Sequence, residues 1–398
     1  MEKLLTLEKF REKLSRELFA FLNEKRKQAE KIDRKCILLI DEIIRLNRAG
    51  GKRLRPYICY LGNCLDQRWR LQGEEFSTSK VKAAKPSPAL RLSSSPALSA
   101  CLAVELLESM ALIHDDIMDE AQLRRGQPST YAKYGRDTAI LVGDLCFPLM
   151  DECMLRAGHE AQKLFQKLKF EIVCGQFLDT LGSKIYNLKS ISEEEILKIY
   201  KYKTAMYTVT RPLQIGYLQN YQFSIFNFQR EQREHPWGDV PGSPGAKMKM
   251  SLLEEYGENL GIAFQIKDDL IDLFGIKTGK AIGGDIGEGK LTYMVVKLLQ
   301  QMYLGGRRRQ HLGGEDLSAS EVKMKKHFYS IFGNKNASKK DIDWVKNLIV
   351  KTGVKRECED KSTELLAKAK KAIMQFPGNE EAKEKLIEIA DYIVERKY

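Results

Sequence analysis

Along most of this chain, apolar residues recur three and four positions apart, with Lys, Arg and Glu between them. That spacing places the apolar side chains on one face of an α-helix. It covers residues 4–48 and returns at 99–114, 137–182, 193–216, 251–274, 290–303, 340–352 and 359–397. Period-two alternation, the mark of half-buried strands, is scarce. The pattern predicts an all-α fold of many medium-length helices in one domain spanning 1–398. Three stretches interrupt it. Residues 66–98 are rich in Ser, Pro, Ala and Lys, 221–248 end in HPWGDVPGSPGAK, and 305–320 begin GGRRRQHLGGED. Their composition predicts surface loops or disordered insertions, with helical spacing resuming on each side.

Composition narrows the picture only a little. A hydrophobic content of 43% over 398 residues is enough for a sizeable core, and the net charge of +12 points to an anionic partner. Nucleic acid, an anionic membrane surface and phosphorylated small molecules all qualify. The short basic run at 307–311 reads as a solvated loop rather than a nucleic-acid contact. None of the eight cysteines forms a CxxC pair, and most have apolar neighbours. They read as free thiols packed as small hydrophobes, which suits a reducing cytoplasm. The opening MEKLLTLEKFREKLSRELFAFL is an amphipathic helix dotted with charges, not a signal peptide. With no run of 18 or more apolar residues, no transmembrane span is expected.

The chemistry concentrates in one motif that occurs twice. ALIHDDIMDE gives Asp115, Asp116 and Asp119, and FQIKDDLIDLFG gives Asp268, Asp269 and Asp272. Both read D-D-x-x-D. On a helix the first and last aspartates share a face, one turn apart, and the middle one lies about 100° round. Carboxylates so close repel one another unless something compensates. A divalent cation does so, and Mg²⁺ is usually held by one or two carboxylates together with substrate phosphates. One copy alone is an ordinary solvated acidic face. Two copies, each on an apolar helix, point to metal and a phosphorylated substrate. The spacing does not fit a calcium-binding EF-hand loop.

Basic residues supply the complement. In AGGKRLRPYICYL, residues 49–61, Lys52, Arg53 and Arg55 follow two glycines and precede Pro56. Glycine permits a tight turn, Pro marks a helix start, and cations beside a helix N-terminus suit a diphosphate. The Walker A spacing is missing. Arg124 and Arg125 follow the first acidic motif, Lys203 and Thr204 lie in KYKTAMYT, and Lys280 and Lys290 flank AIGGDIGEG after the second. Singly each is a common surface residue; together they match metal-bound diphosphates.

With GGKRLRP, DDIMD…RRG, YKT and FQIKDDLID…GK…DIGEGK in this order, the chain resembles the trans-isoprenyl diphosphate synthases, or polyprenyl synthetases, from about residue 15 onward. The three interruptions look like insertions into the family pattern. The resemblance implies an all-α isoprenoid-synthase bundle around a central cavity, working as a homodimer with three Mg²⁺ per active site. It implies that Asp115, Asp119 and Asp116 hold metal from one side, and Asp268, supported by Asp269 and Asp272, from the other. Arg124, Lys203, Thr204, Gln265, Lys280 and Lys290 are implied contacts for an allylic diphosphate (dimethylallyl, geranyl or farnesyl). Lys52, Arg55 and Arg125 are implied contacts for isopentenyl diphosphate. The implied catalytic set is Asp115, Asp116, Asp119, Arg124, Lys203 and Asp268. Metal and cations would stabilise the charge on the departing diphosphate. The double bond of isopentenyl diphosphate then attacks the allylic cation, and the proton passes to the departing diphosphate. His114 accordingly reads as structural. One departure stands out: the family commonly has a histidine seven residues before the first aspartate, and here that residue is Glu108. Glu108 is expected to orient Lys52 or Arg55.

In the family the product grows along the helix that carries the first motif. An aromatic four or five residues upstream stops it early. Here those positions are Ala111 and Met110, with Leu107 one turn deeper. At 1.5 Å per residue Met110 lies roughly 7–8 Å from Asp115 along the axis. Neither residue blocks as Phe or Tyr does. The expected product is longer than farnesyl, with geranylgeranyl diphosphate favoured and a longer polyprenyl chain the alternative. A non-catalytic subunit of a heteromeric synthase is a further alternative, weakened by the presence of all six aspartates.

Overall fold

Helical spacing is realised throughout the residues described by this computed structural model, namely 4–66, 95–182, 191–219, 243–275, 283–311 and 319–394. In chain order the helices are α1 (Leu7–Ile32), α2 (Ile37–Arg48), α3 (Leu54–Cys64), α4 (Pro96–Met118), α5 (Thr130–Met154), α6 (His159–Gly182), α7 (Glu193–Tyr200), α8 (Arg211–Leu218), α9 (Pro244–Phe274), α10 (Gly284–Glu288), α11 (Tyr293–His311), α12 (Ala319–Ile331), α13 (Lys339–Lys351), α14 (Val354–Gln375) and α15 (Glu380–Val394). A small antiparallel hairpin, β1 (Leu123–Arg124) with β2 (Gln127–Pro128), lies between α4 and α5. A π-helical stretch, Lys201–Thr210, joins α7 to α8.

The chain divides into two compact units, each made of separated segments. The first comprises Met1–Gln166, Arg211–Ser251 and Pro377–Leu386; the second comprises Lys167–Thr210, Leu252–Phe376 and Ile387–Tyr398.

The first unit is organised on α4. Ser95 accepts a hydrogen bond from the Leu98 backbone N–H at 3.4 Å, and Pro96 sits in the first turn, so the start is capped as helix starts usually are. From Leu98 to Leu107 every side chain is buried, which requires neighbours on all sides. α3, α5 and α8 provide them. By length and composition alone α4 could cross a bilayer, but 72% of its apolar window is buried inside the protein, as in the core helix of a globular fold, in keeping with the expectation of no transmembrane span. α3 and α8 meet backbone to backbone. A Cβ on Gly62 would lie 2.1 Å from the Leu213 carbonyl oxygen, and one on Gly216 would lie 1.8 Å from that of Cys59. Six of the eight cysteines are buried and all are free thiols, as their apolar neighbours suggested.

The second unit packs α7, α11, α12, α13 and α14 around a continuous core that includes Ile199, Ile266, Leu270, Val295, Leu299, Phe328, Ile349 and Cys358. One expectation is corrected here. The stretch 305–320 is helical at both ends: α11 continues to His311, and α12 begins at Ala319. The glycine pair costs only about 1 kcal/mol per residue against Ala, and the arginines that follow are good helix formers. The preceding turns are pinned by buried Val295, Val296, Leu298 and Leu299. α12 escaped the periodicity reading because it buries only Phe328 and Ile331. Most of 66–98 and 221–248 lies outside the described residues.

Candidate active site

The first acidic motif is the last turn of α4. Asp119 is the C-cap, and Glu120 takes the left-handed conformation at φ 52. The Ala121 N–H donates to the Asp116 carbonyl at 2.9 Å, and the Glu120 N–H to that of Ile117 at 3.4 Å. This paired closure ends the helix directly behind the motif. Asp115 is half-buried and Asp119 exposed, one turn apart on one face. Asp116, 2% exposed, points inward and is held by Arg124, whose Nε donates to Oδ1 at 2.9 Å and whose Nη2 donates to the same oxygen. Burial lowers the Arg124 pKa, but the carboxylates of Asp116, Asp115 and Asp119 together more than offset this, and the net shift is upward.

Arg124 reaches Asp116 because the chain reverses immediately. Arg125 and Gly126 both have positive φ, 53 and 74, which is the tight two-residue turn of a β-hairpin. The hairpin is braced from α2. Arg45 donates to Gln127 Oε1 at 2.9 Å and to the Pro128 carbonyl at 3.0 Å. It is itself fixed by buried Glu42, at 2.8 Å from its Nε, and Glu42 also accepts from Thr130 at 3.0 Å. Burial pushes the Glu42 pKa up, yet Arg45, Thr130 and Lys133 together bring it below the usual range.

The basic turn before α3 lies in the same unit. Arg53, in the left-handed region, is buried; it donates to Asn47 Oδ1 at 2.8 Å and to the Asn47 carbonyl at 2.7 Å, and pairs with buried Glu105 of α4. Burial holds Glu105 above the usual carboxylate range despite that partner. Arg55 pairs with Glu108 at 2.7 Å, so of the two partners expected for Glu108 the pairing with Arg55 is present. Arg125 donates to the Leu46 carbonyl at 3.0 Å and lies against Gly51, where a Cβ would stand 2.9 Å from Nη2. Lys52 is exposed at the turn. His114 faces Asp144 at 3.5 Å, and glycine at 143 makes room for its ring.

The second motif is the end of α9. Asp268 and Asp272 are half-buried, and Asp269 is 5% exposed. Both Asp269 oxygens are taken: Gln265 donates to Oδ1 at 2.9 Å, and the Tyr200 hydroxyl donates to Oδ2. Tyr200 in turn accepts from the Tyr293 N–H at 2.7 Å, and Thr204 donates to Gln265 Oε1 at 2.7 Å. Burial, with Asp285 and Asp268 nearby, raises Asp269 well above the usual carboxylate range, against the hydrogen bonds of Tyr200 and Gln265. Asp272 accepts from the Asp285 N–H at 3.2 Å. Lys203, on the π-helical stretch, pairs with Asp179, and Lys290 lies 3.3 Å from Asp285 and 3.1 Å from Glu288. Local irregularities of this helical kind recur at functional sites. Lys280 lies outside the described residues.

Among the described residues no three His, Cys, Asp or Glu side chains converge on one metal position. Each motif instead offers a pair of accessible carboxylates one turn apart. That donor set fits Mg²⁺, which fills its remaining positions with water and phosphate oxygens. Upstream of the first pair, Met110 and Leu107 are buried at 4% and 0%, while Ala111 is half-buried. The sequence reading missed Tyr200, Asp179 and Glu105. Each acts through a partner on another helix, and only Tyr200 lies near a quoted motif, three residues before Lys203.

An all-α chain with two such motifs, each beside fixed cations, has the make-up of a diphosphate-handling transferase. The polyprenyl synthetase family pattern matches residues 38–224 and 242–331. A geranylgeranyl diphosphate synthase of Saccharolobus solfataricus is 31% identical over 313 residues, 76% of this chain and 74% of that protein. A geranylfarnesyl diphosphate synthase of Natronomonas pharaonis is 29% identical over 361 residues, 88% of this chain and 87% of that one. In structure the chain is similar to a geranylgeranyl pyrophosphate synthase of Corynebacterium glutamicum in complex with isoprenyl diphosphate and magnesium, at TM-score 0.75 and 25% identity, covering 99% of this chain and 100% of that one. The chain belongs to the polyprenyl synthetase family. It is a trans-prenyltransferase with the all-α fold of the isoprenyl synthases.

Proposed function

We propose that the chain extends an allylic diphosphate with isopentenyl diphosphate to an all-trans product longer than farnesyl, geranylgeranyl diphosphate first among them. The observation that carries the product length is the pair Met110 and Ala111 on α4, where no aromatic ring stands upstream of the first motif. Asp115 and Asp119, with Asp268 and Asp272, would hold Mg²⁺, and we take the complement to be three ions. The magnesium complex of the Corynebacterium relative supports this reading. When bound, Mg²⁺ neutralises charge on the diphosphate and makes it a better leaving group. Arg124, anchored by Asp116, and Lys203, Thr204, Gln265, Lys280 and Lys290 orient the allylic diphosphate. Asp116 and Asp269, implied by the resemblance as further metal ligands, we read instead as anchors for the polar residues around them, because each is buried and already hydrogen-bonded. Lys52, Arg55 and Arg125 receive the diphosphate of isopentenyl diphosphate. The departing diphosphate accepts the released proton, so no side-chain base is needed. His114 stays against Asp144.

A longer product is the second reading. Met is compliant, so a floor at Met110 stops a chain softly, and the Natronomonas relative makes geranylfarnesyl diphosphate by name. Assembly as a homodimer is part of the proposal. Phe170, Val173 and Phe177, 72%, 57% and 60% exposed, form an apolar stripe on one face of α6 that a second copy would cover. A cytoplasmic setting is supported by eight free thiols.

Incubation of the purified chain with Mg²⁺, isopentenyl diphosphate and dimethylallyl, geranyl or farnesyl diphosphate, followed by product sizing, tests the activity. Geranylgeranyl diphosphate should dominate, and no product from any primer would overturn the proposal. Met110→Phe should shorten the product; an unchanged distribution removes Met110 from the floor.

A further inference from the structure

We infer that Glu108 is a built-in counter-ion which competes with isopentenyl diphosphate for Arg55 and so sets how weakly this chain takes that substrate. The inference rests on the reading of Lys52, Arg55 and Arg125 as the isopentenyl diphosphate contacts. Glu108 Oε2 lies 2.7 Å from Arg55 Nη1, and the two side chains are only 14% and 23% exposed. An anion placed there occupies the cation that a diphosphate would seek, and in a place where salt screens poorly. Nor is its charge required to neutralise Arg53. That guanidinium already has Glu105, one turn back on the same helix, together with the Asn47 side chain and carbonyl. Arg125 feels both glutamates. The basic turn and hairpin therefore bring Arg53, Arg55 and Arg125 against two carboxylates, Glu105 and Glu108. Only the Arg53–Glu105 pair is fully enclosed. The incoming diphosphate must displace Glu108 from Arg55 or bind beside its charge, and either route weakens binding. A side chain that merely aims Arg55 would act in the opposite sense, because its loss would weaken the site.

The two roles separate by sign. Steady-state kinetics on the full chain with Mg²⁺ would compare wild type, Glu108→Gln and Arg55→Gln, varying isopentenyl diphosphate and farnesyl diphosphate in turn. Glu108→Gln should lower KM for isopentenyl diphosphate by about five- to tenfold. KM for farnesyl diphosphate should not move, and kcat should stay within about twofold. Arg55→Gln should raise KM for isopentenyl diphosphate, and adding Glu108→Gln to it should lower the constant by less than Glu108→Gln does alone, since only the charge beside the site, and no longer the contest for Arg55, is removed. Glu108→His removes the same negative charge with a different shape and should also lower the constant, which guards against a packing defect in one variant. If Glu108→Gln and Glu108→His leave KM for isopentenyl diphosphate unchanged or raise it while Arg55→Gln raises it, the counter-ion role is wrong and the basic site stands. If Arg55→Gln changes nothing, the basic-site reading fails, and the inference with it.

Discussion

In the first acidic motif the middle carboxylate, Asp116, is held by a guanidinium; in the second, Asp269 is held by a phenol and an amide. The exposed pattern is otherwise the same. Asp115 and Asp119, like Asp268 and Asp272, stand one turn apart and accessible, while the residue next to the leading aspartate is buried. One spelling thus covers two electrostatic designs. Arg124 brings a formal charge to Asp116 and, through the hairpin, ties the motif to the cations beside it. Tyr200 and Gln265 bring hydrogen bonds without charge, and the Asp269 carboxyl is pushed upward. On the proposed reading, each D-D-x-x-D supplies two accessible carboxylates for metal and one buried carboxylate as anchor, and the anchor's partner differs between the two.

The largest effect should come from the ligands. Asp115→Asn and Asp268→Asn should each lower kcat/KM by about a thousandfold or more, with little change in thermal unfolding. A comparable loss in Asp116→Asn, with stability intact, would erase the distinction between ligand and anchor. Asp116→Asn should instead lower stability by about 1–2 kcal/mol in urea unfolding, because half-buried Arg124 loses its nearest counter-charge. Tyr200→Phe leaves both Asp269 and the Tyr293 N–H short of a partner and should cost about 1–2 kcal/mol. A loss below the error of the measurement would mean that Gln265 suffices as anchor.

Asp269→Asn should be the mildest, at about 1 kcal/mol or less, since neutral partners suit an amide. Its signature is in pH. With its folded pKa above the unfolded value, Asp269 favours folding fully at pH values below the ordinary carboxylate range. That contribution is lost as pH rises through the raised value. Unfolding midpoints of metal-free protein across this window should flatten in Asp269→Asn. A slope equal to wild type would place the titration elsewhere.

Much of this was legible because it is periodic. The i, i+4 aspartates, the apolar face of α4 and the glycine–cation turn are local patterns, and a helix preserves local spacing. What escaped depends on distant partners. Nothing near Lys203 announces Asp179, and nothing near Asp269 announces the Tyr200 hydroxyl, because those contacts exist only once separate helices pack. The stretch beginning at Gly305 misled for another reason. Its Gly and Arg residues resemble a loop by composition, while the buried residues upstream, from Val295 to Leu299, keep α11 going.

The seam where α3 meets α8 bears on how the chain is made. Gly62 and Gly216 let two backbones touch that are far apart in sequence. A nascent chain emerges from its N-terminus, so α3 reaches the cell long before its seat exists. The turn at Gly50–Arg53 leads straight into α3 and must wait with it, unanchored on that side, until residue 216 has left the ribosome. A stall or truncation ahead of that point would release a fragment that carries the whole first acidic motif and its arginines, with α4 to pack on but without the α8 backbone that closes over α3.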